Sequence, residues 1–299
     1  MATALRPSAG AGRRLSAFLF RHPGAKLGAM LSPPLGWMIV VYLSALTLLF
    51  VTSFWRLDPL TSTIQRQWGF QNFQTLVHDS VYRVITIRTA GIAAAVTIAD
   101  TLFAFPIAYY MARMASARAR SLLLVAVVIP LWANYLVRVF AWKTILQSNG
   151  PADWIFTHLL GVQDARVGST NWAVWITFCY LWLPFVILPI YAALERIPSS
   201  LLEASGDLGA KGGRTFRSVI LPLAFPGIVA GSIFSFSLTL GDYITPTLVG
   251  KGFFIGNAIY NFVGTASNLP LAAAFALVPV AIMAIYLTIA RKLGAFEAL

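Results

Sequence analysis

The stretch WAVWITFCYLWLPFVILPIYAAL, Trp172 to Leu194, runs directly into ERIPSSLLEASGDLGAKGGRTFRSVILP, Glu195 to Pro222. The first part has no charged residue and is long enough to cross, as a helix, a hydrocarbon layer about 30 Å thick. The second part turns polar before Phe225 opens another apolar run. Pro198-Ser199-Ser200 reads as a helix start, because proline is tolerated in the first turn, where its missing N–H would be unpaired anyway. Leu201, Ala204 and Leu208 then share one face, with Leu202 beside it. Gly209 supplies the stop, since a residue without Cβ can enter the left-handed conformation that closes a helix. A second short helix is expected from Gly213 to Ile220, after which Pro222 and Pro226 force a bend into the next span. Such a pair carries a small apolar ridge out of the membrane, rimmed by Glu203, Asp207, Lys211, Arg214 and Arg217. The ridge calls for a partner groove.

The rest of the chain repeats the first pattern. Of 299 residues, 58% are hydrophobic and 11% charged, and the mean hydropathy is +0.75. Soluble domains carry about 25% charged residues, so a water-soluble enzyme is excluded and the chain is read as an all-α membrane protein. Six apolar stretches qualify as spans: residues 35–55, 84–112, 121–142, 172–194, 225–245 and 270–290. No alternating strand pattern recurs as a membrane barrel would require. The first stretch is too long for a signal-peptide core and lacks a small-x-small cleavage site, so it is expected to stay as a helix.

Lys and Arg assign the sides of the bilayer. One set of segments holds Arg6, Arg13, Arg14, Arg21, Lys26, Arg113, Arg118, Arg120, Arg196, Lys211, Arg214, Arg217, Arg291 and Lys292; the opposite set holds Arg56, Arg66, Arg83, Lys143, Arg166 and Lys251. Both termini are therefore expected inside. The basic excess is an orientation signal and not a nucleic-acid footprint. The domain reading is a basic cytoplasmic segment over 1–34, a six-helix domain over 35–291 with a cytoplasmic loop at 195–223, and a cytoplasmic tail over 292–299. Pro7, Pro23-Gly24 and Pro33-Pro34 are expected to break any long helix before the first span, leaving one amphipathic turn around Leu15 to Phe20. The outside loop from Arg56 to Arg83, with Trp68, Phe70 and Phe73, has room for a short helix on the membrane surface.

Chemistry is excluded by omission. Cys179 is the single cysteine. His22, His78 and His158 are scattered and give no H-E-x-x-H pair, and no phosphate-binding G-x4-G-K-S/T loop or G-x-S-x-G elbow occurs. Gly250-Lys251-Gly252 with Gly256 is one residue off the G-x-G-x-x-G spacing of a dinucleotide fingerprint and reads as a turn.

The string Glu203-Ala204-Ser205, Gly209, Val219, Leu221-Pro222 resembles the EAA motif of binding-protein-dependent ABC importers, with its spacing kept; Ser205 replaces a second Ala, and Val219 an Ile. The resemblance continues through Pro130-Leu131-Trp132, Leu136-Val137-Arg138 and Ala141-Trp142, through Leu240-Gly241-Asp242-Tyr243-Ile244-Thr245-Pro246, and through Ile255-Gly256-Asn257 with Ile259-Tyr260. Together these look like the permeases of the spermidine/putrescine class. The resemblance implies a type I ABC importer (MetI-like) permease fold, inserted with both ends inside a bacterial cytoplasmic (inner) membrane. It implies a non-catalytic transport subunit with no cofactor of its own, ATP and Mg being bound by the partner. The implied partners are a cytoplasmic ABC ATPase dimer, a second homologous permease, an extracytoplasmic substrate-binding protein, a small-molecule solute and the lipid bilayer. Leu201, Leu202, Glu203, Ala204, Ser205, Leu208, Gly209, Val219, Leu221 and Pro222 are the implied ATPase-coupling residues. Glu203 would bond either the ATPase or the loop's own backbone N–H groups. An ion-coupled secondary transporter, the competing class, would need inverted repeats with paired broken helices, and none is read.

For the pathway, ionisable residues inside spans need a partner or water. Asp242, 16 residues after Pro226, would lie about 24 Å along its helix, and Arg138, 18 residues after Arg120, about 27 Å along its own. They can meet as a structural pair, or Asp242 can face a cationic solute. Asp100 falls about 20 Å from the inner end of its span, near mid-membrane, and suits either a water-filled cavity or a neighbouring helix. Trp132, Tyr135, Trp182 and Tyr243 are the aromatic candidates for cation–π contact along the route.

Overall fold

The computed structural model describes residues 20, 23–58, 60–158 and 168–292. The turn expected around Leu15 to Phe20, the segment before Pro23 and the tail beyond Lys292 lie outside the described residues apart from Phe20 itself, as does Arg166.

Two compact units are present, and the first holds a single described helix, α1 (Pro23–Thr52). It runs through Pro33 and Pro34, where a break was expected. A proline removes one backbone donor, and a helix entering a membrane tolerates that loss because local adjustments re-satisfy the freed carbonyl.

The second unit begins with a two-residue antiparallel pair, β1 (Arg56–Leu57) with β2 (Ile64–Gln65), which the sequence did not announce. Asp58 ties it: Oδ1 accepts from the Leu60 N–H at 2.9 Å and Oδ2 from Gln65 Nε2 at 2.8 Å. The Leu60 and Thr61 N–H groups hold the Asp58 carboxyl below its ordinary value. The short helix expected in this loop is α2 (Gln71–His78).

Then come α3 (Ser80–Arg113), α4 (Ala117–Trp132), α5 (Tyr135–Leu146), α6 (Pro151–His158) and α7 (Asn171–Glu195). The loop pair α8 (Ser199–Asp207) and α9 (Gly212–Thr215) follows, with a π turn at Phe216–Ile220 leading into α10 (Leu221–Gly241). The last described elements are α11 (Ile244–Val249), α12 (Ile255–Gly264) and α13 (Leu269–Lys292). Among the described residues five helical stretches are long and apolar enough to cross a membrane, and α4 with α5 and α6 makes a sixth if that pair, bent by 94°, is one span.

That bend corrects the expected straight span over 121–142. Ala133 and Asn134 are extended, and the Asn134 side chain accepts from the Leu136 N–H at 2.9 Å, capping α5. An asparagine in mid-span that offers its side chain to the backbone two residues on is a helix start, and Pro130 has already removed one bond from the turn before it. Around Pro222 and Pro226 the helix is not broken: Gly212–Gly241 is helical throughout, and a π turn, in which the Leu221 N–H reaches the Phe216 carbonyl, leads into Pro222.

The centre is α3, α7 and α10. Glycines let α7 and α10 approach: a Cβ on Gly227 would sit 2.4 Å from Ala193 Cβ and 2.7 Å from the Pro189 carbonyl, and one on Gly231 3.0 Å from the Val186 backbone. Small residues at crossings give membrane helices their close van der Waals contact. Gly227→Ala is expected to lower the thermal unfolding midpoint of the purified chain in detergent, with overpacking of about 1–3 kcal/mol; Gly206→Ala, at an open position on α8, serves as the control.

Candidate functional site

Two features stand out, one at the inner end of the chain and one where the two broken helices meet.

The inner feature is the loop pair. Pro198 precedes α8, and Gly209 takes φ +78°. The Gly209 N–H donates to the Gly206 carbonyl at 2.8 Å and the Ala210 N–H to the Ser205 carbonyl at 3.0 Å, the double bond pattern that closes a helix on a left-handed residue. The Ser205 hydroxyl meets that of Thr215 at 2.9 Å and pins the two short helices together, which gives the departure from alanine a structural use.

The coupling candidates divide by environment. Leu202 and Phe216 pack against the cluster of Ala104, Ala108, Met111, Ile190, Leu194 and Ile220, and Phe105 meets Phe216 edge-on with centroids 5.6 Å apart. Leu208 is 89% and Leu201 44% exposed. Glu203 and Ala204 are exposed as well, and the Glu203 side chain makes no hydrogen bond or ion pair among the described residues. Val219 lies half-buried in the π turn, and Leu221 and Pro222 open α10 on its exposed side.

Two arginines valued by sequence only as orientation signals hold the root of this pair. Arg113 Nη2 donates to the carbonyls of Leu194 at 2.5 Å and Ile197 at 2.7 Å, where α7 ends and the loop begins. Arg120 donates to the carbonyl of Met111 and pairs with Glu195 at 3.2 Å. Cations suit the last carbonyls of helices, which lack intrahelical donors.

The second feature is built on Asp242, the residue after Gly241, where α10 stops as the sequence allowed. Oδ1 accepts from the N–H groups of Ile244 at 2.7 Å and Thr245 at 3.1 Å, which starts α11. Oδ2 accepts from the Tyr135 hydroxyl and from the Thr245 hydroxyl, the latter at 3.0 Å. Asn257, at the start of α12, closes the other side: its Nδ2 donates to the Tyr243 carbonyl at 2.8 Å and to Thr247 Oγ1 at 2.5 Å. Gly256 makes room, since a Cβ there would stand 2.9 Å from the Asp242 carbonyl.

The structure thus brings Tyr135, Asp242 and Tyr243 together and sets Trp182 against Tyr135, their rings stacked at 6.1 Å. Trp182 is buried in the core, Tyr243 stacks on Tyr260 at 4.8 Å, and Trp132 is 87% exposed. Asp100 is sealed between helices, accepting from Ser235 Oγ at 2.6 Å. No ion pair joins Asp242 to Arg138; among the described residues Arg120–Glu195 is the one ion pair. The bend at Ala133–Asn134 also removes the straight helix from Arg120 on which the expected depth of Arg138 rested. Thr245 and Asn257, quoted above only within the strings of the resemblance, and Ser235, not named there, complete these networks. The available signal was that a polar side chain in an apolar span must find a partner.

Asp242 is occupied as a helix cap and junction bond. Asp242→Ala is therefore expected to destabilise the permease itself, by about 1–2 kcal/mol for a lost cap, read as a lowered unfolding midpoint; an unchanged midpoint with lowered uptake would instead assign it to the solute.

The broken helices taken alone would also suit an ion-coupled transporter, and the relatives decide between the classes. A family profile described as "Binding-protein-dependent transport system inner membrane component" matches residues 104–294. The chain is 43% identical over 307 residues to the inner membrane ABC transporter permease protein YdcU of Escherichia coli (strain K12), covering 98% of this chain and 97% of YdcU. It is 32% identical over 228 residues to the spermidine/putrescine transport system permease protein PotB of the same organism, covering 75% of this chain and 82% of PotB. Its fold is similar to a chain of the bacterial alginate ABC transporter solved in complex with an alginate pentasaccharide-bound periplasmic protein, with a TM-score of 0.65 at 19% identity, covering 94% of this chain and 98% of that one. The chain therefore belongs to the binding-protein-dependent transport system inner membrane components, the non-catalytic multi-pass permease subunits of ABC importers.

Proposed function

We propose that this permease imports a small polar solute of the polyamine class and that α8 is the part moved by a cytoplasmic ATPase dimer. The observation that carries the coupling reading is the division of α8 into two faces. Leu208 and Leu201 are exposed while Leu202 is rooted among residues of α3 and α7. Exposed leucines on a short, capped helix are suited to fill a partner's pocket, and the rooted adjoining face passes the displacement on. Glu203, unbonded within its own loop, is left to make a charge-assisted hydrogen bond to the ATPase.

ATP and Mg belong to that partner, a second homologous permease completes the pathway, and an extracytoplasmic binding protein delivers the solute. Similarity to PotB supports the polyamine class. Because Asp100 and Asp242 are engaged within the fold, selection for a cationic solute falls to the binding protein and to aromatic faces such as that of Tyr243.

Gly209→Val tests the lever. A β-branched residue at φ +78° is strained by about 1–2 kcal/mol and would open the cap. The variant is expected to reach the membrane and assemble, while ATP hydrolysis by reconstituted vesicles no longer yields solute uptake. Uptake per ATP equal to that of the unaltered protein would defeat the lever reading.

A further inference from the structure

Arg138 is 9% exposed, and its side chain makes no hydrogen bond, ion pair or ring contact among the described residues. Nε and Nη1 are fully covered and without a partner. Nη2 is the nitrogen of the head that is not sealed in, so the guanidinium reaches the chain's surface at one end. Tyr135, Arg138, Val139, Trp142 and Leu146 fall on one face of α5, and the other four belong to the core shared with α7. Asp242 does not serve Arg138, because the Tyr135 and Thr245 hydroxyls and two backbone N–H groups already engage that carboxylate.

A guanidinium is ionised at every accessible pH and carries a large desolvation penalty in apolar surroundings unless an anion meets it. Intramembrane arginines left in this state mark a site that something else completes. We propose that Arg138 is the binding group for a carboxylate or phosphate brought from outside this chain, received first at Nη2. The proposal rests on the importer reading, which supplies two sources for the anion. With a polyamine as cargo, the anion is a carboxylate of the second permease; a cargo with an acidic group supplies its own. The planar fork of Arg suits either oxyanion, whereas Lys offers a point charge.

The test uses the whole importer in nanodiscs, with Arg138→Met and Arg138→Lys in this chain and the binding protein isolated together with its natural load as the probe. Removing one charge-assisted bond is expected to cost about tenfold or more. Arg138→Met should show that loss in recovery of the permease pair or in ATP-driven uptake of the load, with Arg138→Lys falling between. Poor recovery of the pair assigns the anion to the second permease. Reduced uptake by an intact pair, with a carboxylate or phosphate found in the load by mass spectrometry, assigns it to the cargo. The isolated full chain in detergent should unfold no earlier with Arg138→Met, because it loses no partner there. Wild-type behaviour of Arg138→Met in both recovery and uptake, reduced uptake of a load without an acidic group by an intact pair, or destabilisation of the isolated chain would each overturn the proposal. A wild-type complex without ATP-driven uptake would instead remove the function reading, and pair recovery would then decide the role of Arg138 alone.

Discussion

The Asp242 carboxylate is the point on which the outer architecture depends. Two helices, α4–α5 and α10–α11, are interrupted, and in an apolar medium every interruption leaves backbone donors and acceptors that water cannot satisfy. Asp242 takes the first N–H groups of α11 on one oxygen and the Tyr135 hydroxyl, from the first turn of α5, on the other. Asn257 then satisfies the Tyr243 carbonyl from α12. One polar knot thus closes the break in α10–α11 and fastens α5 and α12 to it, so the short helices behave as a connected set.

At the inner end the same rule has a different solution. The carbonyls exposed where α7 stops are met by Arg113, and those at the end of α3 by Arg120. Below them, α8 is closed by its glycine cap, tied to α9 by Ser205 and Thr215, and rooted through Leu202 and Phe216. The outward side keeps Leu201, Ala204 and Leu208 uncovered. A capped helix with one side packed on α3 and α7 and one apolar side uncovered is the geometry on which the proposed coupling rests.

Arg113 and Arg138 show how context changes the meaning of one residue type. Arg113 spends a guanidinium nitrogen on helix-end carbonyls, whereas Arg138, on an apolar helix past the bend, finds nothing within the described chain. The sequence placed Arg113 among the orientation charges and Arg138 inside a span beside Asp242, and neither placement named the partner that the fold supplies or withholds. Their difference arises from which backbone groups the fold leaves unsatisfied beside each of them.

The spans, their helical nature and the two-helix loop were legible because each is a local property. Apolar length fixes a membrane helix, a proline start and a glycine stop frame α8, and the Gly241–Asp242 and Pro246 signals mark where α10 opens. The EAA spacing carried the family by the same local logic. The right-angle bend at Ala133–Asn134, the π turn ahead of Pro222, and the partners of Asp242, Asp100 and Arg113 were decided by tertiary structure. Those features follow from which distant donors arrive at a buried acceptor, 107 residues away for Tyr135 and Asp242, and no local pattern encodes such a distance. Sequence set where polar groups enter the membrane, and packing alone set which of them meet, because in hydrocarbon a polar group is stable only where the fold delivers its partner.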